Sequence, residues 1–108
     1  MAKKVLGQSN PSATTATTLY TVPSSKEAVV SSISVCNLAS SSATYRIAIR
    51  PAGASLANQH YLAYDVTVGA ADTTIITAGF TLATTDVITV YASTANLAFS
   101  AFGDEASV

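Results

Sequence analysis

The chain has 108 residues and a mass of 11.0 kDa, the span of one domain rather than of a multidomain machine. Ala, Ser and Thr supply 49 of them (20, 14 and 15), and a mean hydropathy of +0.40 argues against disorder. Five basic side chains against six acidic ones give a net charge of −1, too few cations to track a nucleic-acid backbone and too little charge to hold a free monomer apart from its copies.

Residues 1–18 read as an extended N-terminal arm, because Gly7, Asn10 and Pro11 punctuate a Ser/Thr/Ala-rich stretch without sustained periodicity, and Val5 and Leu6 are its tether. Residues 19–108 form the domain proper. Residues 19–22 make a short strand that stops at Pro23. Over 28–36, Val29, Ile33 and Val35 point one way, and Val30, Ser32, Ser34 and Cys36 the other. Residues 43–50 alternate most cleanly, with Tyr45, Ile47 and Ile49 opposite Thr44, Arg46, Ala48 and Arg50. Pro51 and Gly53 open the longest internal loop, 51–58. Residues 60–68 alternate again, grouping His60, Leu62, Tyr64, Val66 and Val68. Residues 73–78 and 80–82 are two strands or one bent at Gly79, where a missing Cβ permits a bulge. Residues 87–92 and 97–102 close the chain as a hairpin across 93–96, leaving a polar tail. The fold class is therefore all-β: a single antiparallel β-sandwich or jelly-roll of about 7–8 short strands. Few charges or prolines guard its strand edges, so partner subunits are expected to cover some of them.

The chemistry-bearing residues are sparse. A single Cys36 excludes an intramolecular disulfide, and with His60 as the only histidine it cannot complete a structural zinc site. Cys36 reads as a small buried hydrophobe without a neighbouring base. His60 with Asp65 or Asp86 and any of 14 serines would supply a triad only by composition, since no Gly-x-Ser-x-Gly elbow is present. Asp72 and Asp86 follow small-residue turns and are expected to cap them. Asp104 and Glu105 show no metal-ligand spacing. If 43–50 and 60–68 pair around the Pro51 loop, Asp65 shares a face with Arg46 and Arg50, so a cross-strand ion pair is expected, with capture of a ligand carboxylate as the alternative. Tyr45, Tyr61, Tyr64 and Tyr91 suit either core and interface positions or a sugar platform, although Trp is absent. Catalytic, cofactor and metal residues are accordingly expected to be none, and the protein is expected not to be an enzyme.

The stretches YTVP (20–23), VCN (35–37), YRIAIRPAGA (45–54), QHYLAYDV (59–66), DVITVYAS (86–93) and LAFSAFG (97–103) resemble a group of small all-β bacteriophage virion proteins. The likeness covers nearly the whole chain and lies in strand and turn wording, so it transfers no site residues. It implies a capsid decoration or cement protein, typically trimeric, that sits on the head lattice and braces it. The partners then expected are the major capsid protein or other virion proteins and copies of the chain, with no nucleic acid and no membrane. The expected location is the virion, after synthesis in the host cytoplasm, since residues 1–8 contain no apolar targeting run and no stretch approaches the ~20 apolar residues of a membrane span. The arm is expected to gain order on binding the shell. A tail, neck or fibre component is the alternative within the same class. A carbohydrate-binding module using loop 51–58 with Tyr61 or Tyr64 is the alternative from another class.

Overall fold

A computed structural model describes residues 2–108, apart from the side chain of residue 78. Among the described residues, eight strands form two four-stranded antiparallel sheets: β1 (Ala2–Ser9), β2 (Thr17–Thr21), β3 (Lys26–Asn37), β4 (Ala43–Arg50), β5 (Tyr61–Val68), β6 (Thr73–Leu82), β7 (Val87–Ala92) and β8 (Leu97–Ser107). The first sheet runs β1-β8-β3-β6 and the second β2-β7-β4-β5. β1 pairs with β8, β2 with β7, β3 with β6 and β4 with β5. The chain is thus one long hairpin, closed at β4–β5 and wound over itself, which is the jelly-roll arrangement. Only the β4–β5 connection stays within a sheet; the other six cross between sheets.

Alternation along each strand supplies the core. Val30, Ile33, Val35, Leu97, Phe99 and Ala101 of the first sheet face Tyr45, Ile47, Ile88 and Val90 of the second, and all are at most 2% exposed. Tyr45 meets Phe99 edge to face at 6.3 Å, and burial pushes its phenol pKa up. At one end of the sandwich Asn37, 2% exposed, joins two crossing loops. Its Nδ2 donates to the carbonyls of Ser41 (2.8 Å) and Gly69 (3.1 Å), and its Oδ1 accepts from the Ala39 N–H (3.0 Å). A buried amide is tolerated because its polar atoms are paired.

Several expectations are corrected. The extended N-terminal segment is, over Ala2–Ser9, strand β1 of the first sheet, with Leu6 in the core. Its alternation is hidden because Leu6 is an extra residue in the β1–β8 ladder, and because the outer face of the strand meets solvent. Gly7 lets this bulge press on β2: a Cβ there would collide with the Leu19 carbonyl. In β3, Ser31 is likewise an extra residue, so Val30 rather than Val29 lies inside with Ile33 and Val35. β7 and β8 do not form a hairpin; residues 93–96 carry the chain from one sheet to the other. The polar tail is strand as far as Ser107, held by pairing with both β1 and β3. Residues 73–82 are one strand with a register shift at Gly79, as a glycine at that place permits.

The two sides of the sandwich differ. On the β1/β2 side the sheets are clamped: Tyr20 of β2 donates its hydroxyl to Glu105 of β8 at 2.5 Å, and Lys4 of β1 lies 3.4 Å from the same carboxylate. The hydrogen bond from Tyr20 holds the Glu105 carboxyl below its ordinary pKa, with Lys4 assisting. Burial, and then Glu105, push the Tyr20 phenol far above its own. On the β5/β6 side the sheets gape over a cleft of about 190 Å³ lined by Ile33, Ile47, Leu62, Ala63, Ile76 and Phe80.

Candidate functional site

The outer face of the second sheet carries the densest side-chain cluster. Arg46 stands directly across from Tyr91 of β7, and its guanidinium carbon lies 4.2 Å from that ring and 4.1 Å from the ring of Tyr64. Arg46 also forms a fork with Asp65, Nε to Oδ1 at 2.6 Å and Nη2 to Oδ2 at 3.3 Å. The hydrogen bond to Asp65 pushes the guanidinium pKa further above its already high ordinary value. Asp65 reaches Arg46 from a left-handed backbone conformation (φ 52°), which Asp tolerates better than most residues. β5 carries extra residues relative to β4 on both sides of Ala63, and these bulges bring Tyr61 against Tyr64, rings 4.9 Å apart and near-perpendicular. Asn58, Tyr61 and Tyr64 line a depression of about 330 Å³ beside loop 51–60.

That loop is fastened. Arg50 donates from Nη1 to the carbonyls of Gly53 (3.3 Å) and Ala54 (2.9 Å) and from Nε to Thr89 Oγ1 (3.0 Å). Asp86 Oδ1 accepts from the Ala52 N–H at 2.9 Å while Oδ2 caps its own turn at Ala83 N–H, 2.8 Å. The expected ion pair is therefore Arg46–Asp65 alone, and Arg50 serves the loop. Of the four tyrosines considered together, Tyr45 is core; Tyr61, Tyr64 and Tyr91 share the Arg46 cluster.

His60 and Asp72 also have local partners. His60, 9% exposed, lies in a short 3-10 turn (Asn58–His60) before β5, and its Nδ1 accepts from the Ala57 N–H at 3.1 Å. Asp65 is held by Arg46 and Asp86 by backbone amides, so neither carboxylate orients the imidazole. Asp72 accepts from the Thr73 N–H at 2.8 Å, as a turn cap does. Cys36 is half-buried rather than buried; it lies in the first sheet, away from the strand that follows His60. Among the described residues no group of three or more His, Cys, Asp or Glu is placed to hold a metal ion.

A third feature lies on the outer face of the first sheet. There the extra residues Leu6 in β1 and Ser31 in β3 flank β8, and a broad trough lined by Lys3, Lys4, Val5, Ser31, Phe102 and Asp104 runs over Gly103. Val5 and Phe102 are paired across the β1–β8 ladder and are 48% and 37% exposed. The trough was not legible from the sequence, because both bulges are needed to place these residues together.

Comparison with known proteins finds no matching family model, no matching curated protein and no matching solved structure.

Proposed function

We propose that this chain is a non-enzymatic structural protein of a bacteriophage virion, a capsid decoration or cement protein that docks on the head shell and stabilises it. The observation that carries the reading is the distribution of exposed apolar side chains on a charge-poor jelly-roll. Val5 and Phe102 mark the outer trough, Leu38 (66% exposed) one end, and Leu62, Val66 and Ile75 the open side. A protein that binds a shell and also touches neighbours needs apolar contact area in more than one direction, and only 11 charged residues oppose that association. The jelly-roll is an architecture that viral capsid domains share with lectins and cupins. The strand-and-turn likeness to small virion proteins points to the first of these. In the docked state the trough, with Lys3 and Lys4 at its rim, lies against the shell. Immunogold labelling of purified virions with antibody against the chain tests this: label over the head supports decoration. Label confined to the tail or neck moves the protein there, and unlabelled particles refute the reading.

A carbohydrate-binding role is favoured by one observation of its own, the Asn58–Tyr61–Tyr64 depression, where a half-exposed Tyr64 ring (56%) offers a stacking face beside polar tips. It predicts saturable glycan binding that Tyr61→Ala or Tyr64→Ala abolishes; a flat titration across a glycan panel removes it.

A further inference from the structure

Four strands form the edges of the two sheets: β1, β6, β2 and β5. An edge strand presents unpaired backbone N–H and C=O groups, and it is normally blunted by charge, proline, shortness or a bulge. Three of the four edges are blunted. β1 carries Lys3 and Lys4 and the bulge at Leu6. β2 has five residues, an extra residue at Leu19 and Pro23 just beyond its end. β5 is doubly bulged and carries Asp65.

β6 is blunted least: it is ten residues long, TTIITAGFTL, with neither charge nor proline, its one extra residue falls at 78–79, and Thr73–Thr77 pair regularly with β3. Ile75 is 64% exposed on it. We propose that β6 is a homotypic interface: two copies align β6 edge to edge, antiparallel about a two-fold axis, so that the first sheet continues into that of a second molecule.

The choice of a second copy follows from charge and size. In an isologous contact every charge near the axis meets its own copy; β6 contains none to be repelled, and the charge on the adjoining β5 edge, Asp65, is paired with Arg46. Asp72, just before the strand, is carried by antiparallel pairing to opposite ends of the interface. The side wall formed by the β6 and β5 edges is roughly 33 Å long and about 20 Å deep, or roughly 650 Å² per copy. Twice that exceeds the ~1,000 Å² expected of a specific interface. The same contact would cap the apolar cleft, whose lining includes Leu62 of β5 and Ile76 of β6. A ring of three would need β6 to meet a different, blunted edge.

The test uses the purified chain alone, so its outcome is independent of whether the protein belongs to a virion. Light scattering behind size exclusion is expected to give twice the 11.0 kDa chain mass at tens of micromolar. Ile75→Lys and Thr77→Lys, both at exposed positions, are each expected to weaken the dimer at least ~10-fold by placing like charges near the axis. Thr18→Lys, on the opposite side, is expected to leave it intact. Single cysteines at 73, 75 and 77 in a Cys36→Ser background supply a second readout that needs no destabilising charge: one of them is expected to cross-link to itself, and a cysteine at 18 is not. A monomer at that concentration, a trimer, or a dimer indifferent to both lysines and to the cysteine positions would overturn the proposal.

Discussion

Replacing Gly103 by Ala tests the packing of the first sheet at its most crowded point. An added Cβ would sit on the Val29 carbonyl oxygen and touch the Val29 carbonyl carbon and Val30 Cα at 3.0 Å. Ordinary contact begins near ~3.5 Å, so the β3 backbone must retreat by more than about 1 Å. β3 pairs with β8 through eleven residues, from Lys26 to Asn37, and cannot yield locally without loosening that ladder. Overpacking costs about 1–3 kcal/mol, and a weakened ladder bond adds ~1, for a total of roughly 2–4 kcal/mol. That corresponds to a fall in Tm of roughly 10–20 °C for a domain of this size. Gly79→Ala is the matched control, since a Cβ there meets nothing within 4 Å. It is expected to gain roughly 0.4–1 kcal/mol through lost freedom of the unfolded chain. Urea unfolding followed by far-UV circular dichroism compares the two, and equal midpoints with equal slopes would refute the reasoning.

Tyr20→Phe removes the hydrogen bond to the Glu105 carboxylate and is expected to cost about 1–3 kcal/mol at neutral pH. Glu105 has a lowered pKa in the folded state, so this stability is present above the ordinary carboxylate range and lost as pH falls through the folded value. The raised Tyr20 pKa acts in the opposite sense: its stability is complete below the ordinary tyrosine value of about 10 and lost as pH rises through the folded one. Stability curves of the two proteins against pH should therefore converge in acid, and parallel curves would contradict the assignment. Asp86→Ala frees the Ala52 and Ala83 amides together and is expected to cost about 1–3 kcal/mol and to speed proteolytic cleavage within loop 51–60, read by limited digestion. Deleting residues 2–9 removes β1 and Leu6 and bares the β8 edge; a broadened or absent melting transition is expected, and an unchanged one would show β1 to be dispensable.

How far the sequence was readable depends on whether a strand keeps its period. β4 and β7 begin and end where alternation and turn residues place them, at Ala43–Arg50 and Val87–Ala92, because both are regular inner strands of their sheet. β3 is legible over most of its length, but alternation puts Val29 rather than Val30 on the face of Ile33 and Val35, because the extra residue Ser31 inverts the relation between the two halves of the strand. β1 escaped for the same reason at Leu6. The supposed β7–β8 hairpin shows a different limit: a four-residue turn looks alike whether it closes a ladder or crosses to the facing sheet. At the tyrosine cluster, the Arg46–Asp65 pair was legible from the expected β4–β5 hairpin. The contact of Tyr61 with Tyr64 was not, because strict alternation sends residues three apart to opposite faces, and only the bulged path of β5 reunites them.

The most direct test of the central claim is the copy number of this chain in purified virions, measured by quantitative mass spectrometry against the major capsid protein. The decoration role predicts a lattice-wide ratio approaching one copy per capsid subunit. A small fixed number per particle, or none, would contradict it.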